Sequence, residues 1–181
     1  MPPLLFFTDP RRTPNPVAVA SRLPRGAGVV FRAFGAPDAV AKGRALAIVC
    51  RRRGLVLFVG AEPRLATRLG ADGVHLPERL AARAGAIAAL RARFLVTAAA
   101  HGLPNALRAR RAGVDAIVIS PIFASNSPSA GRPIGVFALA RLVGRLRAPT
   151  YALGGVNAAT INRLGMTGVV GVAAVDGLSR T

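Results

Sequence analysis

Ala116-Ile117-Val118-Ile119-Ser120-Pro121-Ile122-Phe123 and, further along, Thr150-Tyr151-Ala152-Leu153-Gly154-Gly155-Val156-Asn157 are the two stretches that decide the fold. Each is an apolar, β-branched run with no polar alternation. Such runs suit strands covered on both faces, and hence a parallel sheet flanked by helices. Each also ends in small residues. The glycine pair lets the backbone come close to a ligand, and its amides suit a phosphate.

Outward from these two, eight short apolar runs follow polar or glycine-containing breaks: Leu4 to Thr8, Gly28 to Phe34, Leu55 to Gly60, Gly73 to Leu76, Phe94 to Ala98, Ala116 to Ile122, Thr150 to Leu153 and Gly168 to Ala173. Their starts lie roughly 20 residues apart, near the minimum for a strand, helix and return strand. The intervening segments have helical periodicity. Pro37-Asp38 opens a helix carrying Val40, Ala41, Ala45, Leu46 and Val49. Pro104 to Gly113 is a helix with proline in its first turn and glycine at its end, and Val136 to Leu146 presents Leu139, Leu142, Val143 and Leu146 to the sheet. Leu69-Gly70-Ala71-Asp72-Gly73-Val74, Ala112-Gly113-Val114-Asp115-Ala116-Ile117 and Leu164-Gly165-Met166-Thr167-Gly168-Val169 each read as a helix stop followed by a new strand. Eight βα units specify an α/β fold, a single (β/α)8 TIM barrel over residues 1–181, with an open doubly wound sheet as the alternative. The eighth helix, after the last strand, is expected to be missing or truncated. A second copy of the chain is the expected cover for that strand, making a homodimer.

Composition narrows the function. The 181 residues suit one domain, and no apolar run approaches the roughly 20 residues that span a bilayer. The N-terminus lacks a basic segment and its apolar run stops at Asp9, so no signal peptide is read and a cytoplasmic location is expected. Cys50, the only cysteine, reads as a small hydrophobe on a helix face. The formal charge of +18 raises nucleic acid as a partner. Against that, the cations are almost all arginines spread over several helices, with few aromatic residues among them to stack on bases.

In such a barrel ligands bind at the carboxyl ends of the strands, with a phosphate commonly held after strands seven and eight. Gly154, Gly155 and Val156 offer amides at the first place, and Ala173, Ala174 and Val175 at the second. The Ser-, Gly- and Pro-rich loop from Phe123 to Pro133 adds the hydroxyls of Ser125 and Ser127. His101, just past strand five, is the acid/base candidate, since histidine takes and returns a proton near neutral pH. His75, inside strand four, reads as a satisfied, partly buried residue. Asp9 and Glu62 fall at the reactive end, Asp72 and Asp115 at the opposite, stabilising end. Carboxylates are scarce, so a magnesium site would rest on Glu62 alone.

Thr8-Asp9, Phe31-Arg32, Gly70-Ala71-Asp72-Gly73-Val74-His75-Leu76, Gly113-Val114-Asp115, Ser120-Pro121-Ile122-Phe123 and Leu153-Gly154-Gly155-Val156, in this order, resemble the thiamine-phosphate synthase and thiazole tautomerase (TenI) family. The resemblance implies a barrel binding a small phosphorylated heterocycle, a thiazole phosphate, with its phosphate after strands seven and eight. It also implies either of two reactions. The synthase joins a pyrimidine diphosphate to a thiazole phosphate with magnesium and releases pyrophosphate. Its Gln-x-Arg-x-Lys element stands here as Val30-Phe31-Arg32-Ala33-Phe34, its Asn-Asp-Asp element as Gly60-Ala61-Glu62, and its Thr-x-Thr-Lys loop as Ser125-Asn126-Ser127-Pro128. The tautomerase shifts a proton to aromatise a carboxythiazole phosphate and uses no cofactor; the resemblance puts His101 at its proton-moving position and Arg32 on the substrate carboxylate. The expected order is tautomerase first, divergent synthase second, and a non-catalytic phosphate-binding barrel third.

Overall fold

The computed structural model describes residues 1–90, 94–125 and 131–176. Eight parallel strands, each bonded to the next in chain order, close into a barrel: β1 (Leu4–Phe7), β2 (Gly28–Phe31), β3 (Val56–Gly60), β4 (Gly73–Leu76), β5 (Leu95–Ala100), β6 (Ala116–Ile119), β7 (Thr150–Ala152) and β8 (Gly171–Ala174). Closure comes from β1, which pairs with β2 on one side and with β8 on the other. Around the barrel lie α1 (Pro16–Ala20), α2 (Ala39–Arg53), α3 (Pro63–Leu69), α4 (Ala84–Ala88), α5 (Leu103–Arg111) and α6 (Gly135–Leu146), with 3-10 turns at Glu78–Arg83 and Ile161–Leu164.

The strand period of two divides the core in half. Leu5, Phe7, Val30, Phe58, Val118, Tyr151 and Ala173 pack together inside the barrel, and the Tyr151 hydroxyl donates to the Pro2 carbonyl there. Burial pushes the Tyr151 phenol up to about 12, so it stays a neutral donor. Phe6, Val29, Val59, Val74 and Ile117 face the helices, where α6 inserts Leu139, Leu142 and Leu146 and α2 inserts Leu46 and Cys50. Each aliphatic side chain so buried contributes about 1.5–3 kcal/mol.

Element edges differ from the sequence reading where side chains compete with the ladder. β2 stops at Phe31 rather than Phe34, because the Arg32 N–H turns to the Thr8 hydroxyl (2.9 Å) and Phe34 adopts φ +49°. The third expected helix stop, before Gly165, ends only a 3-10 turn. In the preceding segment the Thr160 hydroxyl accepts from Asn157 N and donates to Gly155 O, both at 2.9 Å, and Asn157 Oδ1 takes the Ala159 N–H at 2.9 Å. Such local bonds offer the backbone an alternative to the α-helix. β8 begins at Gly171, after a turn at Gly168 (φ +76°), and runs to Ala174. Whether an eighth helix follows falls on residues 177–181, outside the described ones.

Candidate active site

The carboxyl ends of the strands surround an opening of about 830 Å³ to which the ends of all eight strands contribute. His101 follows directly on β5 and lines it. Glu78, which follows β4, reaches across: its Oε2 accepts the His101 backbone N–H at 2.7 Å and lies 3.0 Å from the imidazole Nδ1. A carboxylate can only accept, so Nδ1 carries a proton, and in the neutral form of the ring the lone pair lies on Nε2. Burial pushes the Glu78 carboxyl up, but the His101 backbone N–H, the His101 ring and the Asn105 side chain together outweigh it and hold it below the usual range.

Arg32, just past β2, donates from Nε to Thr8 O at 2.7 Å and from Nη2 to Asp9 Oδ2 at 3.4 Å. Its guanidinium lies over the rings of Phe7 (5.6 Å) and Phe34 (5.2 Å). Burial lowers its pKa from a very high ordinary value, with Asp9 and Asp176 opposing and Arg12 assisting, so it remains cationic. Asp9 holds the β1 loop with the same carboxylate, accepting from Arg11 N at 3.0 Å and Arg12 N at 3.2 Å. Arg12 in turn grips Asp176 beyond β8 through both oxygens.

The turn after β7 approaches the β6 loop so closely that only glycine fits. At Gly154 (φ +93°) an added Cβ would lie 2.8 Å from Pro121 Cα, and at Gly155 (φ +65°) it would lie 2.3 Å from Ala124 O. Gly154 O accepts from Phe123 N at 3.0 Å, while the N–H groups of Gly154, Gly155 and Val156 have no acceptor among the described residues. These three residues and Ala174, Val175 and Asp176 line the opening. Ala173 does not: it lies one register position deeper, opposite Leu5 in the β1–β8 ladder, with its side chain fully buried inside the barrel. Of the residues expected after strand eight, Ala174 and Val175 therefore line the opening and Ala173 does not. Ser125 lines the opening and Ser127 lies outside the described residues.

Glu62 also lines the opening; its carbonyl accepts from Ala66 N at 3.0 Å, while its carboxylate has no hydrogen-bond partner among the described residues. It stands alone as a metal donor, since Asp9 and Asp176 are held by arginines and Glu78 by His101. No group of three His, Cys, Asp or Glu side chains suited to a metal occurs among the described residues. A magnesium ion here would rest on the Glu62 carboxylate, with a diphosphate and water supplying its other ligands.

His75, read in the sequence as partly buried, is buried, with its Nδ1 2.9 Å from the Thr97 hydroxyl and its ring edge-on to Phe7 at 4.9 Å. Burial and then Arg32 push it down to about 3, which leaves it neutral. It nevertheless contributes to the opening's floor, as do Arg12 and Arg79 to its rim. The pairing of Glu78 with His101, 23 residues away, was not visible in the sequence.

A family described as thiamine monophosphate synthase matches residues 4–178. A putative thiamine-phosphate synthase 2 of Aquifex aeolicus is 32% identical over 121 residues, 67% of this chain and 64% of that protein. A thiamine-phosphate synthase of Chloroflexus aurantiacus is 37% identical over 134 residues, 69% of this chain and 59% of the relative. The chain thus spans about three fifths of the length of these two relatives. Among solved structures, a thiamine phosphate pyrophosphorylase from Pyrococcus furiosus superposes with a TM-score of 0.79 at 23% identity, covering 95% of this chain and 84% of that one, a likeness of fold. These names point to thiamine-phosphate synthesis rather than to tautomerisation. No helix among the described residues is long and apolar enough to cross a membrane.

Proposed function

Because the chain belongs to the thiamine monophosphate synthase and TenI family, we propose that it is a thiamine-biosynthesis enzyme that binds a thiazole phosphate and moves a proton on it. The observation that carries this reading is the Glu78–His101 pair, which engages Nδ1 and leaves Nε2 for a ligand at the same opening as the three N–H groups of Gly154, Gly155 and Val156. Those N–H groups bind the phosphate, joined by the backbone at Ala174 and the Ser125 hydroxyl. Arg32 binds the substrate carboxylate. His101 Nε2 takes a proton from one carbon of the heterocycle and returns it to another, so the aromatising shift balances without oxidant, reductant or cofactor. Glu78 stabilises the imidazolium that exists between the two transfers.

The names of the relatives favour a second reading, the synthase, and Arg12, Arg32 and Arg79 around the opening suit a diphosphate. Magnesium would belong to that reaction only. Glu62 is the carboxylate that would hold it.

One assay separates the readings. The non-aromatic tautomer of carboxythiazole phosphate, incubated without metal, is expected to aromatise, followed by ultraviolet absorbance. His101→Ala is expected to cut turnover at least about 100-fold while thiazole phosphate binding persists. Magnesium-dependent pyrophosphate release from pyrimidine diphosphate and thiazole phosphate would install the synthase instead. Binding with no turnover in either arm would leave a non-catalytic barrel.

A further inference from the structure

Phe34 sits against its own local preferences. Its φ of +49° lies in the left-handed region, where a residue with a Cβ is strained, and its ring is 67% exposed although it is one of the largest apolar side chains. Strain of this kind clusters at ligand clamps. The ring lines the opening and lies 5.2 Å from the Arg32 guanidinium. Arg32 is held by Thr8 O and Asp9, and its remaining N–H bonds have no acceptor among the described residues. A fixed cation with spare donors thus adjoins an aromatic surface facing water.

We propose that Phe34 is the specificity-determining residue of the opening: its exposed ring stacks on a flat heteroaromatic ring whose carboxylate takes the spare N–H bonds of Arg32. The site then selects planar heteroaromatic acids over saturated acids of similar size, because a ring with two π-faces gains from stacking what a puckered ring cannot. The choice of a carboxythiazole as the natural ligand rests on the proposed function; the stacking preference does not.

The test is calorimetric titration of the full chain with carboxythiazole phosphate, pyridine-2-carboxylate and cyclohexanecarboxylate. The unsubstituted protein is expected to bind the pyridine acid about tenfold more tightly than the cyclohexane acid. Phe34→Gly and Phe34→Leu are expected to abolish that preference and Phe34→Tyr to keep it. The thermal midpoint of Phe34→Gly is not expected to fall, since glycine relaxes the strained backbone, whereas a residue that only packed would lower it. No measurable binding of either simple acid, no preference between them, a preference that survives Phe34→Gly, or equal retention by leucine and tyrosine would overturn the proposal. Discrimination of the simple acids without binding of carboxythiazole phosphate would sink the thiazole reading and leave the stacking intact. Equal binding of carboxythiazole phosphate by Phe34→Gly and the unsubstituted protein would do the reverse.

Discussion

The two ends of the barrel put their carboxylates to opposite uses. At the amino ends of the strands, Asp72 and Asp115 each exchange two bonds with the neighbouring strand. Asp72 Oδ2 accepts from Leu57 N and its own N–H donates to Leu57 O, both at 2.8 Å; Asp115 does the same with Val96, both at 2.7 Å. At the carboxyl ends, Asp9, Glu78 and Asp176 pair with Arg32, His101 and Arg12. A carboxylate that satisfies backbone serves the fold, whereas one that orients a cation or an imidazole leaves that partner's other side for a ligand. The third helix–strand junction confirms the contrast by omission: Thr167 stands where the aspartates stand, and its hydroxyl turns back to Leu164 O at 2.6 Å instead of reaching a neighbouring strand.

The sharpest way to break this division is at the mouth itself. Gly155→Ala would place a Cβ 2.3 Å from Ala124 O on a backbone with φ +65°. Left-handed strain of about 1–2 kcal/mol and overpacking of about 1–3 kcal/mol predict a loss of roughly 2–5 kcal/mol, read as a fall in thermal midpoint of roughly 2–4 °C per kcal/mol. An unchanged midpoint would mean that the turn carries no structural load and that its glycines serve the ligand alone.

The opposite end should be silent in activity. Asp72→Ala or Asp115→Ala leaves a buried strand N–H short of its acceptor, at a cost of about 1–2 kcal/mol, towards the low end because both aspartates are exposed and water can enter. Turnover measured well below the midpoint is expected to stay within about twofold, since surface changes away from the site act through stability. A rate loss at full stability would erase the distinction between the ends.

That contrast also governs what the sequence disclosed. The eight strands were legible because each is a local apolar run, and Asp72 and Asp115 were assigned to the stabilising end because their place follows from the order helix, glycine, aspartate, strand. His101 was legible for the same reason, as a polar residue at a strand end, whereas Arg32, inside the expected run Gly28 to Phe34, was singled out by the family resemblance. Phe34 was absorbed into a strand because its apolarity is local information while its positive φ is not. Ala173 and Ala174 are chemically identical, so only the register against Leu5 and Phe6 separates the one inside the barrel from the one that lines the opening. The Arg12–Asp176 grip joins residues 164 apart, a contact that barrel closure creates and no periodicity announces.

Glu78 offers the finest cut, because it combines both uses of a carboxylate. One of its oxygens takes a backbone N–H and also the imidazole Nδ1. Glu78→Gln keeps a carbonyl oxygen for the backbone N–H but removes the charge opposite an imidazolium. The fold should therefore persist at neutral pH while kcat falls about three- to tenfold with KM unchanged, a charge-assisted bond being roughly twice as strong as a neutral one. Acid unfolding supplies the second readout. The Glu78 carboxyl is held below its ordinary value of about 4.3, so the stability it contributes is present above that value and is lost as pH falls through the lower folded-state value. Urea midpoints of the unsubstituted protein should thus drop more steeply than those of Glu78→Gln on the acid side of that value. If kcat falls and the acid slopes coincide, the carboxylate acts on the imidazole alone; if the slopes differ and kcat does not, Glu78 belongs with Asp72 and Asp115 as a residue of the fold.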